Sequence, residues 1–85
     1  MNATESVQND LTDREREILD FEGGPHWVYA GAKEDEIRRR FDLSPTRYHQ
    51  VLNALIDRPD ALTYAPVTVK RLLRLRETRK RLRAG

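Results

Sequence analysis

The sequence has no cysteine, one tryptophan and four glycines among its 85 residues. Without cysteine, disulfides and thiolate zinc sites are excluded, and the chain is compatible with a reducing compartment. No apolar run approaches the roughly 20 residues that a membrane-spanning helix requires. The N-terminal segment also lacks the basic start and apolar run of a signal peptide. We therefore expect a soluble, cytoplasmic protein with no membrane partner.

Residue groups that carry catalysis are also missing. The two histidines, His26 and His49, lie in different segments and have no neighbouring residues at a metal-ligand spacing. The glycines match no phosphate-binding loop. Clustered acids near the N-terminus are explained more simply by helix capping and the helix dipole than by a carboxylate pair. We expect no enzymatic activity, no metal and no cofactor.

Charge is divided unevenly along the chain. The formal net charge is only +2, but residues 1–36 hold ten acids against three bases, and residues 37–85 hold thirteen bases against four acids. This division favours a cationic face that meets a polyanion. The alternative is a set of solvated helical faces that pair with each other. It does not explain the final helix, where eight cations face only Glu77.

The first helix is predicted to begin at a capping box, because Thr12 is followed three residues later by Glu15. Its apolar residues are Ile18, Leu19 and Phe21. Gly-Gly-Pro at residues 23–25 should end it.

An aromatic segment follows, consisting of Trp27, Val28 and Tyr29. We assign it to the core, since so small a domain needs its large side chains for burial; a base-stacking platform is the alternative. A second helix should start after Gly31, with Glu34, Asp35 and Glu36 in its first turn, where the helix dipole favours acids.

Residues 37–56 are the most informative stretch, because they have the layout of a helix-turn-helix. Ile37 and Phe41 share one helical face, and a turn at residues 42–44 follows, with Leu43 as its apolar plug. Ser44 as N-cap and Pro45 as first residue predict the start of the next helix, which should extend to residue 57. Its buried stripe consists of Tyr48, Val51, Leu52 and Leu55.

The open face of that helix carries side chains of the type that reads DNA bases, since Arg, Gln and Asn can form bidentate hydrogen bonds with purine edges. The candidates for base reading are Thr46, Arg47, His49, Gln50 and Asn53. By spacing alone, an α-helical protein–protein module explains the motif equally well.

After a further turn at residues 60–64, a last helix is predicted from Pro66, over about residues 67–82. Val69, Leu72 and Leu73 face the core, and the end of the helix should project as a cationic arm. The candidate phosphate contacts are Arg39, Arg40, Lys70, Arg71, Arg74, Arg79, Lys80, Arg81 and Arg83. We expect an all-α fold of about four helices, divided into a disordered acidic tail (1–10), a helix-turn-helix domain (11–76) and a basic C-terminal extension of the last helix (77–85).

The segments YAGAKEDEIRRRF (29–41), LSPTRYHQVLNALIDRPDAL (43–62) and VKRLLRLR (69–76) resemble a family of small actinobacterial helix-turn-helix proteins. This family is catalogued as a domain of unknown function, and members are described as nucleoid-associated or DNA-binding. The resemblance covers about residues 11–82 and implies DNA binding without catalysis. The chain departs from it at residues 23–26, where Gly-Gly-Pro-His replaces a helical link. Arg38 and Asp42 also stand where helix-turn-helix proteins more often have Ala and Gly.

The leading hypothesis is a non-enzymatic protein that binds double-stranded DNA, either nucleoid-associated or regulating transcription. The alternative is a protein–protein adaptor that binds RNA polymerase or another regulator through its acidic N-terminal part or its last helix. A homodimer is compatible with the sequence, although no heptad seam is long enough to demonstrate one.

Overall fold

The computed structural model describes residues 10–25, 27 and 29–84. These residues form five α-helices and no strand: α1 (Asp13–Glu22), α2 (Ala30–Phe41), α3 (Pro45–Leu55), α4 (Pro59–Tyr64) and α5 (Pro66–Ala84). The predicted all-α class is confirmed. There are five helices where about four were predicted, because the further turn predicted at residues 60–64 is the short helix α4. Of the predicted tail, residues 1–9 lie outside the described part. Within that part, no helix combines the length and the apolarity needed to cross a membrane.

α1 begins and ends where the sequence predicted. Thr12 Oγ1 accepts a hydrogen bond from the amide of Glu15 at 3.1 Å, and Glu15 Oε1 accepts one from the amide of Thr12 at 2.9 Å, which completes the capping box. At the other end, the amide of Gly23 donates to the carbonyl of Leu19 at 3.0 Å. The apolar side chains of α1 are buried and define one wall of the core.

α2 begins earlier than predicted. It starts at Ala30, after the extended backbone of Tyr29, whose carbonyl accepts the amide of Ala32 at 3.1 Å. Gly31 therefore lies inside the helix, and the first turn contains no acidic residue. The helix-dipole role predicted for the acids at residues 34–36 is wrong, since they fall one turn too late for it.

α3 ends at Leu55, slightly earlier than predicted, and Pro59 begins α4 four residues later. A residue before proline is driven to extended backbone, and Arg58 has φ −86° and ψ 136°. Arg58 also ties α4 to α1, since its guanidinium donates to Glu15 Oε2 and to Asp60 Oδ2, each at 2.8 Å. Arg58 holds the pKa of the Asp60 carboxyl below its ordinary value by this hydrogen bond.

Three aromatic rings form the centre of the core. Phe21 of α1, Phe41 of α2 and Tyr48 of α3 lie with ring centroids 5.6 to 6.1 Å apart. The other buried apolar residues are Leu11, Ile18, Leu19, Ile37, Leu52, Leu55, Ile56, Ala61 and Val69. All five helices contribute to this cluster, so the buried side chains of α3 pack against the rest of the domain and hold the helix in place.

The aromatic segment after α1 is not part of this core, which corrects the sequence-based assignment. Tyr29 is 75% exposed and Trp27 is 39% exposed, although the centroid of the Trp27 ring lies 5.8 Å from that of the Phe21 ring. Val28 lies outside the described residues. Trp27 therefore lies at the edge of the core, next to Phe21, and Tyr29 faces solvent.

Glu22, whose carboxylate is buried, joins four of the helices through its side chain and its backbone carbonyl. The Glu22 side chain is 4% exposed; it accepts the hydroxyl of Tyr48 at 2.5 Å and pairs with Lys33 Nζ at 3.2 Å. Its backbone carbonyl accepts a hydrogen bond from Arg71 of α5 at 2.6 Å. Burial and the bond to Glu22 raise the pKa of Tyr48 above its ordinary value, so this residue stays a neutral donor. These contacts fix α3 and α5 relative to α1.

Candidate nucleic-acid interface

The turn between α2 and α3 has a defined backbone. Asp42 has a left-handed backbone conformation, with φ 55° and ψ 40°, and its amide donates to the carbonyl of Arg38 at 3.0 Å. Glycine is favoured in this conformation, and Asp is among the few other residues that adopt it readily. Ser44 then caps α3, since its Oγ accepts the amide of Arg47 at 3.1 Å. The first turn of α3, and therefore the direction of its side chains, is set by these local bonds.

α3 is divided into a buried side and an open side as the sequence predicted. Tyr48, Leu52 and Leu55 are buried, and Val51 is half-buried. All of the base-reading candidates are exposed: Thr46, Arg47, His49, Gln50 and Asn53. The open side is therefore accessible along the length of the helix.

The open side of α3 has two different flanks. On one flank, Arg47 donates to Gln50 Oε1 at 3.2 Å, so these two side chains are already held together. On the other flank lie His49 and Asn53, one helical turn apart. The His49 and Tyr48 rings are nearly perpendicular, with their centroids 5.6 Å apart. The face thus offers one paired arginine and one flank that adjoins a groove.

Two of the cations expected to contact phosphate are held by an acid of their own helix. Arg40 Nε donates to Glu36 Oε2 at 2.5 Å, and Arg39 Nε donates to Glu36 Oε1 at 3.1 Å. These bonds lower the pKa of the Glu36 carboxyl below its ordinary value. Arg39 and Arg40 are therefore partly neutralised in the free protein.

Two cations of α5 are also engaged, which corrects the expectation that this helix faces only Glu77. Arg71 caps α1 through its bond to the carbonyl of Glu22. Arg76 donates to Asp57 Oδ1 at 2.6 Å and to the carbonyl of Asn53 at 3.4 Å, joining α5 to the end of α3. The bond from Arg76 holds the pKa of Asp57 below its ordinary value.

The other cations of α5 are exposed, and none of them has a hydrogen bond or ion pair with another described residue. They are Lys70, Arg74, Arg79, Lys80, Arg81 and Arg83. Residues 77–84 are all exposed, so the second half of α5 contributes charge and almost no core.

A groove of about 900 Å³ lies between α3 and α5 and is bounded by the segment after α1. His49 and Asn53 line it from α3, Leu75 and Arg79 line it from α5, and Trp27 lies at its other edge. The charged residues of its described lining are the cations Lys33, Arg71, Arg76 and Arg79 and the acid Glu22. The groove is therefore cationic, and it is continuous with the open side of α3.

A family model described as "Protein of unknown function (DUF3263)" matches residues 10–84. The chain belongs to this family. Neither a curated protein nor a solved structure is significantly similar to the chain. In the described part of this family member, no group of three or more His, Cys, Asp or Glu residues is placed to hold a metal ion.

Sequence reasoning missed three residues that shape this surface: Arg76, Lys33 and Trp27. Arg76 was counted only as a free charge, because its partner Asp57 is distant in sequence and no local spacing relates the two. Lys33 is one of the three bases counted among residues 1–36, and no sequence pattern relates it to the groove that it lines. Trp27, the only tryptophan, was assigned to the core on size alone.

Proposed function

We propose that this protein is a non-enzymatic DNA-binding protein that acts in the cytoplasm at the nucleoid, in chromosome organisation or transcription regulation. In this proposal α2, the turn at residues 42–44 and α3 form a helix-turn-helix. α3 enters the major groove of duplex DNA, and some of the free cations of α5 contact phosphates.

The open side of α3 is the observation that carries the proposal. An α-helix with its side chains is about 10 to 12 Å across, and the major groove is about 12 Å wide, so a helix exposed along one side fits it. The exposed side chains are hydrogen-bonding groups, whereas a protein-docking helix of this length would present apolar anchors. The left-handed backbone conformation of Asp42 also supports a tight turn between the two helices of a helix-turn-helix.

Two kinds of contact are proposed for this surface. Arg47 and Gln50, already in contact with each other, have the donors and acceptors to bind purine edges. Thr46 precedes them on the same side. The free cations of α5 supply attraction that does not depend on sequence.

Duplex binding by the full chain tests the proposal, measured by fluorescence anisotropy of a labelled oligonucleotide at about 0.15 M salt. The key variant is Thr46→Glu, which puts a carboxylate on the open side of α3. An acid in the first turn of a helix stabilises the fold, so any loss is not due to unfolding. We expect affinity to fall by at least about tenfold, since a like charge would face phosphate.

Val67→Glu is the matched control. Val67 occupies the same second position in α5 that Thr46 occupies in α3, and it is 78% exposed. We expect this variant to bind almost as tightly as the parent. Equal losses from both variants would show that only total charge matters and that α3 is not the interface. A parent chain that does not bind duplex would favour the adaptor hypothesis.

A further inference from the structure

We propose that the groove between α3 and α5 receives the phosphodiester backbone of one strand of the DNA duplex. The inference rests on the proposed function, because it takes α3 to lie in the major groove. It adds a location for one strand, and it separates cations of α5 that contact this strand from cations that do not.

The geometry of α3 leads to this location. A helix that nearly fills the width of the major groove has one sugar-phosphate strand along each of its flanks. The flank that carries His49 and Asn53 is also one wall of the groove. A strand on that side of α3 would therefore pass over the groove, with Arg79 of α5 on the opposite wall.

The charge of the groove suits this occupant. Four cations line the described part of the groove, and its one acid, Glu22, is buried and already bonded to Tyr48 and Lys33. No free carboxylate of the described lining would face the phosphates. Arg79 has no partner among the described residues, so a phosphate contact would not break an existing ion pair.

Helix geometry distinguishes Arg79 from Arg81. Two residues along an α-helix correspond to about 200° around its axis. Arg79 lines the groove together with Leu72 and Leu75, whereas Arg81 lies on the other side of α5, near the direction of Arg74. Both arginines are exposed and carry the same charge, so their comparison isolates position.

The test compares Arg79→Ala with Arg81→Ala in the full chain, using the slope of log affinity against log salt on one duplex. Each neutralised phosphate contributes about 0.9 to that slope. We expect Arg79→Ala to lower its magnitude by about 0.9 and Arg81→Ala to leave it unchanged. Circular dichroism should show equal thermal transitions, since neither side chain packs on the core. Equal changes in slope, including no change in either, would overturn the groove assignment while leaving duplex binding intact.

Trp27 gives a second, independent measurement, because it is the only tryptophan and lies at the edge of the groove. Acrylamide should quench Trp27 fluorescence in the free protein, and saturating duplex should reduce that quenching. Unchanged quenching under conditions where anisotropy shows full binding would also overturn the proposal. A parent chain without duplex affinity would instead defeat the underlying function.

Discussion

At the scale of single residues, the open side of α3 combines a preorganised side chain with freely exposed ones. Arg47 is held by its bond to Gln50 at 3.2 Å, and its backbone amide is fixed by the Ser44 cap. Holding the guanidinium in one place reduces the entropy lost when it binds a base. Among the base-reading candidates, Arg47 is therefore the one for which we expect the largest effect.

Replacing Arg47 with alanine should cost about 1 to 3 kcal/mol of affinity on a preferred sequence, because a bidentate contact with guanine would be lost. On unrelated sequences the loss should be much smaller. Competition binding with a selected duplex and a scrambled duplex measures both values.

Arg38→Ala is the control for this substitution. It removes the same charge from an exposed position on α2, outside the open side of α3. Any loss it causes should be equal on both duplexes. If Arg47→Ala behaves in the same way, Arg47 contacts phosphate and does not read a base.

At the scale of helices, the close approach of α5 to the end of α1 depends on Gly23, which has no side chain. A Cβ atom on Gly23 would lie 2.9 Å from Thr68 Oγ1, closer than real Cβ contacts. At the neighbouring Gly24, a Cβ would meet nothing nearer than 3.4 Å. Neither glycine has a positive φ, so space is what distinguishes the two positions.

We expect Gly23→Ala to destabilise the fold by about 1 to 3 kcal/mol, because α5 or Thr68 must shift to accept the methyl group. Gly24→Ala should be neutral or slightly stabilising, since alanine lowers the entropy of the unfolded chain. Denaturant unfolding with comparable m values gives both free energies. Equal effects at the two positions would mean that α1 and α5 do not approach this closely in solution.

The helix starts were predictable because their signals are local. The Thr12–Glu15 box and the Ser44–Pro45 cap lie within a few residues of the turns that they begin. The position of Trp27 and the Arg76–Asp57 pair could not be predicted in this way. Both depend on which helices meet, and that information is spread over distant residues. The groove, which lies between separate elements, was missed for the same reason.

At the scale of the whole molecule, stability and cationic charge lie in different parts of the chain. The buried residues run from Leu11 to Val69, whereas residues 77–84 are all exposed. The last core-facing contacts of α5 involve Leu72 and Leu73, which are half-buried. The end of α5 can therefore be removed without opening the core.

Truncation after Glu77 tests this separation. The shortened chain should unfold at nearly the parent temperature, because the lost side chains are exposed and only Leu82 among them is large and apolar. Its DNA binding should nevertheless weaken to a similar degree on all sequences, since phosphate contacts do not read bases. Arg79 lines the groove, and Arg83 follows it by four residues, a spacing that places both on one side of a helix. We therefore expect the magnitude of the salt slope to fall by about 2, at roughly 0.9 per contact. A fall of about 3.6 would mean that all four removed cations, Arg79, Lys80, Arg81 and Arg83, bind phosphate, and that their position around α5 does not matter. An unchanged slope would assign the end of α5 to a protein partner. A large loss of stability would instead show that the end of α5 packs on the domain, and that charge and fold are not separable in this chain.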